Sequence, residues 1–309
     1  MGGTLWKIAG RVVDLSRHGL IMGVLNVTPD SFSDRGEYFS LEKAVDHGLR
    51  MAADGADIID IGGESTRPGA EPVDAKEELR RVIPVIEKLC ESIDIVTARE
   101  ENAERRTPNT ERPMKTAPSE ALKFISIDTS KAEVARAAIA AGACIVNDVT
   151  GGRGDKQMMP LVAETKAAFI IMHMQGTPQT MQIEPRYVDV VAEVGNFFRQ
   201  QYERALECGI DTMAIAFDPG IGFGKTLAHN LELLRNLERL RVHDRPIVVG
   251  VSRKSFLAKL IGSKEMRDRL PPTVALTALL RARGVNVFRV HDVKENVNTL
   301  RVAEAILET

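Results

Sequence analysis

Three short stretches of this chain gather cations and hydroxyls: Thr66-Arg67, Ser252-Arg253-Lys254-Ser255 and Arg289-Val290-His291. Guanidinium forks, an ammonium and nearby hydroxyls are donors that suit an anion such as phosphate. A second set has the opposite character. Asp128, Asn147 and Asp218 offer two carboxylates and an amide, which suit a ring carrying its own N–H donors and acceptors. The two sets together ask for a heterocycle with a phosphorylated arm.

Each of these residues closes or follows a short apolar run. Such runs lie at 21–27, 57–61, 124–127, 144–147, 169–172, 213–217, 247–251 and 287–290. They are apolar on both faces, as buried parallel strands are. In order they end in Asn26, Gly62-Gly63-Glu64-Ser65-Thr66-Arg67, Asp128-Thr129-Ser130-Lys131, Asn147-Asp148, His173-Met174-Gln175, Asp218, Ser252-Arg253-Lys254-Ser255 and Arg289-Val290-His291-Asp292. Helical patterns fall between them, at 41–54, 76–90, 131–141, 188–208, 228–240 and 273–283, and Gly142, Gly209 and Gly284 fit C-caps. Eight such units predict a (β/α)8 TIM barrel in the α/β class, not a doubly wound sheet. Residues 6–15 are expected to form a β-hairpin across the barrel's bottom. In a barrel all strand C-termini meet at one rim, where enzymes of this fold keep their chemistry. At any single end a plainer role competes: Asp128-Thr129-Ser130 could simply cap the next helix. Eight polar ends that include Arg67, Lys254 and Arg289 exceed what capping requires.

One stretch does not fit the alternation. Residues 99–120, within an insertion of about 97–121, are rich in charge and proline and nearly devoid of large apolar side chains. Such a segment buries too little surface to offset its ordering entropy, so a disordered insertion before strand three is expected. Whether 93–96 belongs to a strand or to this insertion stays open.

Composition narrows the class. A 309-residue chain with 44% hydrophobic residues can build one large core, so 1–309 is read as a single domain. A formal net charge of −2 gives no support for a nucleic-acid-binding surface, although it allows a local anion site. Cys90, Cys144 and Cys208 are odd in number and far apart, and are expected to be buried hydrophobes in a reducing, cytoplasmic setting. The start of the chain has no basic region followed by an apolar core, and no run reaches the length of a membrane span. No membrane partner is expected.

Two motifs mislead. Gly220-Ile221-Gly222-Phe223-Gly224-Lys225-Thr226 resembles a phosphate-binding P-loop, but Pro219 stands where the first glycine should be. The dinucleotide-binding glycine pattern fails as well. These glycines let backbone approach a ligand or form a tight turn. The histidines have no zinc spacing, and His173 reads as a hydrogen-bonded core residue.

In order and position, "MGVLNVTPDSFSD", "DIIDIGGESTRPGA", "SIDTSK", "IVNDV", "MHMQGTP", "DPGIGFGK", "VGVSRKSF" and "RVHDV" resemble the dihydropteroate synthase family of pterin-binding barrels. The resemblance runs from about Trp6 to the C-terminus, interrupted by the insertion. It implies a transferase that condenses (7,8-dihydropterin-6-yl)methyl diphosphate with 4-aminobenzoate, releasing diphosphate, on the route to folate. It also implies that Asn26 helps hold Mg²⁺, which neutralises the diphosphate together with Arg67, Arg289 and His291. Thr66 would lie at the diphosphate arm or the incoming amine. Asp128, Asn147, Asp218 and Lys254 would bind the pterin, with Arg289 able to lie flat on the ring. Met172 would line its slot, although core packing explains that residue equally well. Phe32, Thr66, Arg67, Pro68, Phe223, Lys254 and Ser255 would form the aminobenzoate pocket, its carboxylate near Ser255. The catalytic group would then be Arg67, Lys254, Arg289 and His291. A homodimer is the family's common assembly. Because "STRPGA" lacks the extra residues of resistant forms, inhibition by sulfonamides is expected.

Two other readings compete: the pterin-binding domain of a corrinoid-linked methyltransferase, and an inert pterin-binding protein. The first has no use for a diphosphate site, and the complete cation and amide set argues against the second.

Overall fold

The computed structural model describes residues 4–28, 37–66, 69–93 and 123–307. The predicted insertion, Phe32, Arg67 and Pro68 lie outside the described residues. Two strands, β1 (Leu5–Ile8) and β2 (Arg11–Asp14), pair antiparallel with Ile8 opposite Arg11. Ala9 and Gly10 connect them with φ of 47° and 75°, the left-handed pair that a tight hairpin turn requires.

Eight parallel strands follow: β3 (Leu20–Asn26), β4 (Ile58–Gly62), β5 (Phe124–Asp128), β6 (Ile145–Asp148), β7 (Ala168–Met172), β8 (Ile215–Asp218), β9 (Val248–Val249) and β10 (Val287–Val290). Their order is β8-β7-β6-β5-β4-β3-β10-β9. A parallel bridge from Phe217 to Ile247 closes the ring between β8 and β9. Helices α1 (Glu37–Ala53), α2 (Ala75–Ser92), α3 (Ala132–Ala141), α4 (Met158–Thr165), α5 (Val190–Glu207), α6 (Leu227–Arg235), α7 (Ser255–Ile261), α8 (Leu270–Ala282) and α9 (Val293–Leu307) alternate with the strands. This is the predicted (β/α)8 barrel.

Because a strand's side chains alternate, the barrel has two apolar layers. Ile59, Ile61, Ile125, Ile127, Phe169, Ile171 and Phe217 face the helices in one cluster. Met22, Ile58, Phe124, Ile145, Ala168, Ile170, Ala216, Val248 and Val287 fill the lower interior in another, together with Trp6, Ile8 and Leu15 of the hairpin region. The hairpin therefore plugs the barrel's bottom. Trp6 is fully buried, and its Nε1–H donates to Ala214 O at 3.0 Å.

Some local expectations need correction. The pattern at 228–240 splits into α6 and a 3₁₀ turn at Leu237–Leu240. Strand seven shortens to Val248–Val249, and a 3₁₀ turn at Thr212–Ala214 takes the start of strand six. Ile93 ends α2 as its C-cap. Cys144 is buried, but Cys90 is half-buried and Cys208 exposed, since Cys208 caps an amphipathic helix on its solvent side. Asp128 does not cap α3. Thr129 Oγ1 and Asp155 Oδ2 accept the first N–H groups there, from Lys131 and Ala132. Among the described residues, no helix is long and apolar enough to cross a membrane.

Candidate active site

The same alternation decides what the rim presents. If Ile58, Phe124, Ile145, Ile170, Ala216 and Val287 point inward, so do the residues two positions on: Asp60, Ser126, Asn147, Met172, Asp218 and Arg289. The paired register places Asn26, Gly62, Asp128 and Asn147 in a row across β3, β4, β5 and β6. Gly62 has no side chain to fill its place in that row. A Cβ there would lie 3.5 Å from Asp128 Cβ, and its absence leaves a gap between the Asn26 and Asp128 side chains.

Arg289 anchors the floor of the site. Its Nε–H donates to Asp60 Oδ2 and its Nη2–H to Asp128 Oδ2, both at 2.7 Å. Asn147 Nδ2 also donates to Asp60 Oδ2, at 3.2 Å. Burial works against the Arg289 charge, but Asp60 and Asp128 more than offset it and hold the guanidinium above its ordinary value. Burial raises the Asp128 carboxyl; Arg289 opposes the shift, and Asp60, Glu78 and Asp148 add to it.

Asp218 occupies the end of β8, where its Oδ1 accepts Gly220 N–H at 2.7 Å. This local turn needs glycine: Gly220 has φ of 63°, and a Cβ would come within 2.0 Å of His173 O. Burial raises the Asp218 carboxyl, opposed by Lys254, the Gly220 N–H, Arg289 and Lys225. Lys254 reaches back to donate to Ile221 O and lies over the Phe223 ring, 4.7 Å from its centroid. Burial pulls its ammonium down to about 8, against the pull of Asp218. At Gly250 a Cβ would be 3.6 Å from Arg289 Cβ and 3.8 Å from Lys254 Nζ, so the aliphatic stem of Arg289 and the Lys254 ammonium approach the bare backbone just after β9.

The remaining residues ring this floor. Met172 is buried with Val149, Met174 and Met181, and Phe223 packs against that cluster. His291 bonds Ser252 Oγ through its backbone N–H and through Nδ1, each at 3.1 Å. Ser255 is exposed at the first turn of α7. Asn26 and Thr66 are half-buried at the ends of β3 and of the stretch after β4. Lys131 holds the start of that stretch by donating to Glu64 at 2.5 Å and to the buried Glu78 at 2.6 Å. The glycine-rich "GIGFGK" turn is internal. Lys225 is buried, donating to His173 O and Phe223 O and lying 3.0 Å from His173 Nδ1. Burial and Lys225 press the His173 imidazole down to about 2, as suits a neutral core residue.

Asp60 and Ser126 were not among the sequence candidates. Both are fully buried, and Asp60 Oδ1 and Ser126 Oγ have no hydrogen-bond partner. A carboxylate within the apolar run Ile58–Gly62 was the available signal, because such a group is seldom buried without a purpose. A cavity lined by Ser16, Arg17, Arg281, Ala282, Gly284, Glu304 and Leu307 contains none of the rim residues.

The chain matches the family model for pterin binding enzymes over residues 22–104 and 102–291. It is 42% identical to the dihydropteroate synthase of Escherichia coli K12 over 298 residues, 96% of this chain and 95% of that one. Among solved structures, it is similar to the Xanthomonas albilineans dihydropteroate synthase with 4-aminobenzoic acid, with a TM-score of 0.84, 41% identity and full coverage of both chains. It also resembles the Yersinia pestis enzyme in a sulfonamide drug complex, with a TM-score of 0.82, 38% identity, and 99% and 100% coverage of the two chains.

Proposed function

The chain belongs to the dihydropteroate synthases, and from that premise we propose how its rim divides the work of joining (7,8-dihydropterin-6-yl)methyl diphosphate to 4-aminobenzoate. The reaction breaks the bond between the pterin methylene and the diphosphate oxygen. It forms a bond from that carbon to the aminobenzoate nitrogen, which then gives up a proton. Stabilising the departing charge is the main catalytic need. The single observation that supports this reading best is the Arg289 guanidinium braced by Asp60 and Asp128 beside Asn147.

The pterin occupies the floor. Asp218 accepts two N–H bonds from its aminopyrimidinone edge, Asp128 and Asn147 meet the other polar edge, and Lys254 bonds an acceptor on the ring. Met172 lines the slot, and Arg289 lies along the ring while its uncommitted N–H groups face the diphosphate arm. Arg289, His291, Thr66 and Arg67 receive that arm. Aminobenzoate is received by Phe223, Thr66 and Lys254 together with Phe32, Arg67 and Pro68, its carboxylate toward Ser255. No residue of the described rim stands out as a strong general base, and the amine is already nucleophilic. Diphosphate departure therefore leads and attack follows.

The described residues hold no cluster of three or more His, Cys, Asp or Glu that could bind a metal. Mg²⁺ does not need one, because it is held through one or two protein oxygens plus substrate phosphates and waters. The amide oxygen of Asn26, at the end of β3, fits that donor set. When bound, the ion neutralises diphosphate charge.

The protein acts as one pterin-binding domain over 1–309 and as a cytoplasmic homodimer inhibited by sulfonamides. The exposed apolar side chains Leu279 on α8 and Val302 and Ile306 on α9 favour pairing through these helices. A diphosphate-release assay with both substrates tests the function. Release that requires aminobenzoate is expected; release without it, or none, would overturn the reading.

A further inference from the structure

We propose that Asp60 is a positioning residue that fixes which face Asn147 and Arg289 turn toward the pterin; this rests on the reading of those two as pterin ligands. Asp60 lies in the middle of β4, fully buried, one inward position below Gly62. Its Oδ2 accepts from both Arg289 Nε, at 2.7 Å, and Asn147 Nδ2, at 3.2 Å. Its other oxygen has no partner. The carboxylate is thus committed to two site residues and to nothing else. A purely structural position would be better served by an apolar side chain of similar volume, since burying a carboxylate carries a desolvation cost.

The chemistry of this contact removes an ambiguity. A carboxylate can only accept, whereas an amide donates at one end and accepts at the other. Asn147 must therefore direct its NH₂ to Asp60 and leave its carbonyl oxygen for a ligand. That oxygen suits an N–H of a ring; a flipped amide would present a donor and be repelled. Arg289 is fixed in the same way. Its Nε is held from β4 by Asp60 and its Nη2 from β5 by Asp128, 2.7 Å each, so the fork cannot swing about its stem. Asp60 reaches the substrate only through these two neighbours.

The test is calorimetric binding of the pterin diphosphate in the presence of Mg²⁺, alongside steady-state kinetics. Asp60→Asn has the same shape but loses the charge that holds Arg289 and Asn147, and it must either bury an unpartnered NH₂ or turn that donor on both neighbours. It is expected to weaken pterin diphosphate binding about 10- to 100-fold, with the KM for aminobenzoate changing by less than about twofold. Asn147→Asp, which sets two carboxylates against each other, is expected to weaken binding comparably. The decisive variant combines them. With an amide at 60 and a carboxylate at 147 the two carboxylates no longer repel each other, the amide can donate to residue 147 at the expense of its bond from Arg289 Nε, and an oxygen of residue 147 again faces the ligand. The double variant is expected to bind at least about tenfold more tightly than Asn147→Asp alone. This comparison stands even if Asp60→Asn alone does not fold. Additive losses in the double variant, or unchanged pterin binding by folded Asp60→Asn, would overturn the proposal. Failure of the wild-type protein to bind pterin diphosphate would overturn the ligand reading beneath it.

Discussion

Replacing Asp218 by Asn changes no volume and removes one charge at the deepest point of the proposed pterin site. In the wild-type protein Asp218 Oδ1 accepts the Gly220 N–H at 2.7 Å. The Asn side chain has one acceptor, and the fixed Gly220 N–H claims it. The NH₂ must then face the incoming ring N–H groups, so a charged acceptor is replaced by a donor against donors. Losing a charge-assisted, two-point contact costs about 2–4 kcal/mol, a fall of about 30- to 1000-fold in kcat/KM for the pterin diphosphate. Stability should move the other way. Burial raises the folded Asp218 carboxyl above its unfolded value, so the ionised group opposes folding once the pH exceeds the unfolded pKa. At pH 7, Asp218→Asn is therefore expected to melt no lower than wild type. The assay is steady-state diphosphate release with aminobenzoate saturating, paired with a thermal melt. A folded variant with near wild-type kcat/KM would refute the assignment of Asp218 to the pterin edge.

Other consequences are separable. Burial lowers the Lys254 ammonium to about 8, so its charge is present below that pH and lost above it. For the pterin diphosphate, kcat/KM should fall as pH rises through about 8, and this limb should be missing in Lys254→Met; a limb that persists there belongs to another group. Aminobenzoate should bind tightly only with Mg²⁺ and diphosphate present, because Phe32 and Pro68 lie in the same stretches as Asn26, Thr66 and Arg67. If the closed pocket is populated at about 1% without the anion, affinity differs about 100-fold between the two titrations, and equal affinities would mean a preformed pocket. Replacing residues 99–117 by a short Gly-Ser linker should leave kcat/KM within about twofold, because α2 ends and β5 begins on the bottom face, away from the chemistry. Lost catalysis in a folded deletion variant would assign that segment an unforeseen role.

The order of the parts was legible along the chain. Apolar runs at barrel spacing, glycines after helices and polar groups at each run's end announced eight units and a reactive rim. The motifs around Asn26, Asp128, Asn147, Asp218, Lys254 and Arg289 were continuous enough to identify the family. Pairing was not legible, because the strands are apolar on both faces and a period of two leaves no trace when both faces are buried. Tertiary structure decided which of each pair points inward, and with it that Asp60, hidden in an apolar run, faces the site while Asp148 does not. It also decided Asp128's role. Local sequence allowed a helix cap, yet an arginine 161 residues away in the chain takes its oxygen instead. Closure of the ring brings β10 against β3, and a contact between residues so distant is fixed only by that closure.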